Sequence, residues 1–352
     1  MSRSHRRIPA LGLVALLVAA CGGPPATTSG DVPSVPASPA TSRAPEASVF
    51  SFPGGDTPNV TRELAGFPDE SYINPGAVLV DDDGTFHMFA NAFTAWPGTV
   101  SFPHLTSTDG VAWTLSASSP AFTSEDVPFA EPGADVSTGF IADDGTWTLV
   151  LESVNFTDPW AIGRATAPGP DGPWTIDPEP ILTAGAEGDW DAGGLSWPSV
   201  VRGDEGWAMY YAAAERPRTP TQAIGLATST DGITWTKHPE PVLEPGATWD
   251  AAGIDRPRVQ RTDAGWLMIY AGAGQSLSDR GLAWSDDGVS WTPDPANPVL
   301  GRDDFPIQGN TWDTALLVHD GELRYYMEIG SAGGGGTTDI YLATAPADLP
   351  RP

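Results

Sequence analysis

One cysteine in 352 residues excludes an intrachain disulfide, and with it any covalent staple for the fold. Basic residues are scarce too: 17 Lys and Arg stand against 45 Asp and Glu, a net charge of −28. A surface of that sign repels phosphate backbones, which argues against nucleic acid as a partner. The five histidines are scattered, so neither a zinc site with regular ligand spacing nor a local Ser-His-Asp arrangement can be drawn. No cofactor is expected, although the acidic excess leaves room for a structural calcium ion. A long amphipathic helical pattern is also missing. What is plentiful is Gly (40) and Pro (36) around short apolar runs, which favours many strands and turns over helices.

Residues 1–20 read as a secretion signal. Arg3, Arg6 and Arg7 form a basic start, and the apolar run 11–20 is too short to span a bilayer as a stable helix. Val18-Ala19-Ala20-Cys21 resembles the bacterial lipobox, which implies cleavage before Cys21 and lipid on its thiol. Losing the three signal arginines takes the charge from −28 to −31, so lipid rather than basic residues must hold the protein at the membrane. Residues 21–52 contain the lipidation site and a Pro/Ser/Ala-rich stretch with almost nothing to bury, a flexible tether. The folded domain is expected over 53–352, exported, monomeric and anchored on the outer face of a bacterial cell membrane.

The domain is repetitive. "IGLATSTDGITWTKHPEPVL" (224–243) has counterparts at 105–122, 164–182 and 282–300, with Trp113, Trp174, Trp235 and Trp291 at a period of roughly sixty residues. An earlier half, an apolar run followed by an acidic-Gly turn and an aromatic-rich run, occurs five times, beginning near residues 73, 134, 196, 255 and 311. Acidic-Gly pairs between such runs signal hairpins. The predicted fold is therefore an all-β, five-bladed β-propeller with four antiparallel strands per blade. The last copy lacks a fourth strand, and "NVTREL" (59–64) is expected to supply it near Ile340 to Thr344, leaving no open edge.

Tryptophans that recur in four of the five copies belong to packing, and the Asp-Gly pairs to turns. "STDGITW" also resembles the Asp-box of sialidases but is one residue shorter between Asp and Gly. Function is expected where the copies differ. Aligned on their acidic turns, the five first strands begin with Asn74, Asp135, Trp197, Arg256 and Asp313, with Asp255 one position ahead of Arg256. Glu152 and Glu328 end second strands. Trp190 and Trp249, in the matching lead-ins "WDAGG" and "WDAAG", are expected to wall the funnel rim.

"YINPGAVLVDDDGTFHMFANAF" (72–93) and the "ATSTDGITWTKHPEPVL" units resemble the five-bladed glycosidase superfamily that includes glycoside hydrolase families 43, 32, 68 and 130. The likeness runs over nearly all of 60–346. It implies acid/base cleavage of a glycosidic bond by carboxyl groups in the central funnel. On that reading Asp135, Asp255 and Asp313 form the acidic set. Asn74 and Arg256 orient sugar hydroxyls, Trp197 stacks on a ring, and Glu152 and Glu328 are further contacts to the substrate. Two departures stand out. Families 43 and 32 carry an Asp where this chain has Asn74, and "ADVSTG" (134–139) keeps the second-blade Asp of family 130 without its Arg. Basic residues for binding phosphate have no clear counterpart, which favours hydrolysis over phosphorolysis. The rival expectations are a carbohydrate-binding propeller that has lost catalysis, suggested by Asn74, and a protein-interaction scaffold.

Overall fold

The computed structural model describes residues 48–155, 159–216, 222–246, 248–273, 278–331 and 336–351; Cys21, the expected secretion signal and most of the expected tether lie outside them. The compact unit runs from residue 47 to 352. It starts ahead of residue 53, because Phe50 is packed in the core beside Tyr325 and Leu300.

Five sheets follow one another along the chain. Blade 1 contains β1 (Tyr72–Val80), β2 (Phe86–Phe93), β3 (His104–Ser107) and β4 (Thr114–Leu115). Blade 2 contains β5 (Pro132–Ile141), β6 (Trp147–Asn155), β7 (Ile162–Ala167) and β8 (Thr175–Ile176). Blade 3 has β9 (Leu195–Arg202), β10 (Trp207–Ala213), β11 (Ala223–Ser229) and β12 (Thr236–Lys237). Blade 4 has β13 (Ile254–Thr262), β14 (Gly265–Gly272), β15 (Arg280–Ser285) and β16 (Thr292–Pro293). Blade 5 has β17 (Gly309–His319), β18 (Glu322–Ser331) and β19 (Thr338–Pro346). Each sheet is an antiparallel meander in sequence order. The first strands β1, β5, β9, β13 and β17 pack against their neighbours around the ring, β17 returning to β1. The five-bladed architecture is thus as the repeats predict.

The N-terminal segment completes blade 5. Ser51 N–H donates to Thr344 O at 2.9 Å, and Ile340 N–H donates to Val60 O at 2.9 Å. Between these bridges Asn59 Oδ1 accepts Leu342 N–H at 2.8 Å. The closing contacts come from residues 51 and 59–60 rather than all of 59–64, since the chain turns after Val60, where Ala65 N–H reaches Thr61 O.

The Asp-Gly turns are structural, as their recurrence implies. Asp109, Asp231 and Asp287 each accept two backbone N–H groups of the residues that follow. Those donors stabilise the charged form and hold the Asp287 carboxyl down at about 2. Tyr326 and Tyr210 reach from neighbouring blades to the turn carbonyls of Gly110 and Gly288 at 2.8 and 2.7 Å. Trp113 and Trp235 are buried in the packing between blades. Trp190 and Trp249 do not wall the funnel. They pack over Tyr211 and Tyr270 against the cores of blades 3 and 4.

Gly76 marks how tightly the inner strands converge. A Cβ there would stand 2.4 Å from Phe89 O and 2.6 Å from Val136 O, so blades 1 and 2 meet backbone to backbone. Between the same blades lies a buried histidine pair. His87 Nδ1 and His104 Nε2 are 3.0 Å apart, and His87 Nε2 is 3.1 Å from Asp81 Oδ2. Burial, reinforced by His87, pushes the His104 pKa down to about 4. An unfolded chain takes up this proton near pH 6.5, the fold only near pH 4, so stability is complete above pH 6.5 and is lost as pH falls. Between pH 7 and pH 4 the wild type should lose about 3 kcal/mol more than His104→Gln in urea unfolding. Parallel pH profiles would refute this.

Candidate active site

All five first strands are interrupted by a bulge at the same level. The register shifts between Pro75 and Ala77 and between Val136 and Thr138. It shifts again in β9 opposite Tyr210–Ala212, between Asp255 and Arg258, and between Thr311 and Thr314. A bulge re-aims side chains that strict alternation would send elsewhere. In blades 3 and 4 the re-aimed residues are Trp197 and Arg256, with φ of 49° and 50°. Each precedes a proline, which disfavours helical conformations at the residue before it. Left-handed geometry costs about 1–3 kcal/mol per residue, and such strain concentrates at functional sites.

The bulges open onto a cavity of about 320 Å³. Asp135, Glu152, Asp313 and Glu328 line it together with Arg256 and Trp197. The walls are aromatic: Tyr72, Phe93, Trp96, Trp160 and Trp312 face the same space. Tyr72 and Phe93 stack at 5.3 Å and Trp96 continues the row at 5.5 Å.

Asp135 and Glu152 sit directly opposite each other on β5 and β6, an arrangement unfavourable for two like charges. Asp135 is buried and its Oδ1 has no hydrogen-bond partner. Burial first, then repulsion from Asp313, Glu152 and Glu328, raises its carboxyl well above the usual range. Glu152 accepts the N–H of strained Trp197, and Glu328 accepts Asp313 N–H at 3.2 Å. Burial, with Asp313 nearby, pushes both to about 8. Asp313 Oδ2 accepts from Asn74 Nδ2 at 3.3 Å, and its Oδ1 lies 3.8 Å from Arg256 Nε. The Arg256 guanidinium stacks on Trp197 at 4.1 Å and is gripped by Asp255 at 2.8 Å.

Two expected site residues stand outside the cavity lining. Asp255 lies behind Arg256, because the bulge turns Arg256 inward and leaves Asp255 opposite Ala271. Asn74 is wholly buried and orients Asp313 rather than a sugar. Asn91 Nδ2 holds its Oδ1 at 2.6 Å and bridges to Val136 O in blade 2. An Asp at position 74 would meet Asp313 with like charge, so the amide suits this place.

Sequence reasoning missed Arg258, which lies buried below the site and donates to carbonyls of Thr314, Pro198 and Pro257. Its signal was the second arginine of "DRPR". The wall residues Trp96 and Trp160 come from segments without periodicity and left no signal. Among the described residues, no group of three or more His, Cys, Asp or Glu is placed to hold a metal ion.

Comparison with known proteins places this geometry. The profile of glycoside hydrolase family 130, described as β-1,4-mannooligosaccharide phosphorylase, matches residues 198–349. That span takes in Arg256, Asp313 and Glu328 but not Asp135 or Glu152. The β-1,2-mannobiose phosphorylase of Thermoanaerobacter sp. (strain X514) is 28% identical over 107 residues, covering 27% of this chain and 35% of that protein. The match therefore spans about a third of the curated relative's length. Among solved structures, a thermostable family-43 glycoside hydrolase superposes with a TM-score of 0.61 at 17% identity, covering 78% of this chain and 91% of that one. Zg3597, a family 117 glycoside hydrolase of Zobellia galactanivorans, gives 0.61 at 16% identity over 86% and 92%. A structure from the family 130 mannoside phosphorylases, a group containing hydrolases that target β-1,2 mannosidic linkages in Candida mannan, gives 0.59 at 14% identity over 88% and 97%. The chain has the five-bladed propeller fold of the glycoside hydrolases of families 130, 43 and 117.

Proposed function

We propose that the protein is an exported glycoside hydrolase, held to the membrane by lipid on Cys21, that cleaves oligosaccharides in the central cavity. The observation that carries the reading is that Asp135 and Asp313 share one aromatic-walled cavity in opposite surroundings. Asp135 is buried with its Oδ1 unpartnered, and its raised carboxyl holds a proton to higher pH than an ordinary Asp, as a general acid for the leaving oxygen must. Asp313 is met by an amide and a guanidinium, the partners of an acceptor carboxylate that activates water or attacks the anomeric carbon. Glu152 and Glu328 hold the backbone N–H groups of Trp197 and Asp313. Asp255, gripping Arg256, is a positioning residue on this reading.

Hydrolysis is preferred to phosphorolysis on electrostatic grounds. Among the described lining residues Arg256 is the one cation, and Asp255 and Trp197 already engage it. A phosphate dianion would enter beside Asp313 with no free cation to meet it among these lining residues. A panel of aryl-glycosides and polysaccharides tests the proposal. Turnover should yield free reducing sugar at a rate indifferent to inorganic phosphate, and Asp313→Asn should abolish it. Release of a sugar 1-phosphate would overturn hydrolysis. Binding without turnover would favour the second reading, a carbohydrate-binding propeller, for which the observation is the amide of Asn74 in place of a first-blade carboxyl.

A further inference from the structure

We infer that the cavity selects a glycosyl unit bearing a free amine, held as an ammonium between the carboxyl groups and the aromatic wall. This rests on the carbohydrate reading and names the substrate class of the same site. The first ground is an excess of ionisable acids over cations. Four carboxyl groups line the cavity against the single guanidinium of Arg256. Behind them Asp255 and Arg258 add one charge of each sign, both buried. Two carboxyls are enough for glycoside hydrolysis; burial holds the surplus protonated, and a cation among them would let it ionise.

The second ground is an imbalance of hydrogen bonding. Asp135 Oδ1, in a residue 5% exposed, and Asp313 Oδ1 are buried without hydrogen-bond partners; the nearby donor Arg256 Nε stands 3.8 Å from Asp313 Oδ1, which leaves Asp135 Oδ1 unanswered. An occupant rich in donors would satisfy these oxygens; an ammonium has three donors and no acceptor. Aromatic faces supply the third ground, because Tyr72, Trp96, Trp160 and Trp312 surround the carboxyls. Rings and carboxylates together are the chemistry that recognises organic cations. An anionic sugar, with a carboxylate or sulfate, meets repulsion at the same place.

The raised carboxyls make the inference measurable. Burial first, then repulsion from Asp313, pushes Glu152 and Glu328 to about 8, although Arg256 pulls both back. An incoming ammonium adds a nearer positive charge, favours ionisation of Glu152 and Glu328 and expels their protons into the buffer.

The test is calorimetric titration of the protein at pH 7 with methyl glycosides of glucose, galactose and mannose. Their 2-amino-2-deoxy, N-acetylamino and uronate counterparts follow, in two buffers of different ionisation enthalpy. At least one amine should bind about tenfold or more tighter than its hydroxyl parent and release protons, whereas N-acetylation should remove the advantage. Glu328→Gln should lower the amine-to-hydroxyl affinity ratio, and added salt should lower it in the wild type. Equal binding of amine and parent, tighter uronate binding, no amine binding, or displacement of the amine by millimolar calcium would each overturn the inference. Hydrolysis of neutral glycosides without amine preference would overturn it and leave the hydrolase reading standing. Amine binding with no turnover of any glycoside would do the reverse.

Discussion

Asp135→Asn should lower kcat/KM on an alkyl or oligosaccharide glycoside by about 10²–10⁴, the usual worth of a positioned general acid. The loss should shrink sharply on a dinitrophenyl glycoside, whose leaving group departs without a proton. The argument rests on what surrounds this carboxyl. It is buried on β5, pairs across the ladder with Glu152, and has an oxygen with no partner. Burial and neighbouring carboxyls raise its pKa above the usual range, so it is protonated where an ordinary Asp is charged. Through this group activity should accordingly hold at neutral pH and decline on the alkaline side, as the proton is lost. Asn keeps the shape and removes the proton, so sugar affinity should be retained. An equal loss on activated and unactivated substrates would assign Asp135 to binding instead.

Removing residues up to and including Val60 should cost about 3–6 kcal/mol and lead to self-association. Phe50 and Val60 are buried at 5% and 0% exposure, and burying each such side chain contributes about 1.5–3 kcal/mol. The truncation also strips Ser51 from Thr344 and Val60 from Ile340, leaving β19 as an unpaired edge. Against a typical stability of about 5–15 kcal/mol that is a large fraction. Urea unfolding and light scattering would measure it. A truncated protein that stays monodisperse and keeps its midpoint would show that blade 5 closes without this segment.

Much of this was legible because it is local and repeated. A hairpin needs only two apolar runs and an acidic-Gly turn, so "DDDG", "ADDG", "GDEG", "TDAG" and "HDGE" could be counted without knowing what touches what. The missing fourth strand of the last copy pointed to the N-terminus, and the bridges to Thr344 and Ile340 are there. Differences among equivalent strand heads pointed to Asp135, Trp197, Arg256 and Asp313, which all line one cavity with Glu152 and Glu328.

Other assignments depended on geometry that no local pattern encodes. Asp255 and Arg256 are neighbours in sequence, and alternation alone cannot say which faces inward. A two-residue bulge with left-handed φ decides it for Arg256. Asn74 looked like a vacated catalytic position, yet it is sealed beneath Asp313, with Asn91 reaching from it into blade 2. Trp190 and Trp249, matched in sequence, pack into blade cores because Tyr211 and Tyr270 lie beneath them.

The sequence by itself determined the strand periodicity, the number of blades and the kinds of polar group at their inner ends, since each follows from spacings within one repeat. The tertiary structure alone decided which of those groups reach the common cavity and which carboxyls burial raises. Both depend on burial and on neighbours from other blades, and side chains far apart along the chain meet only when the ring is closed.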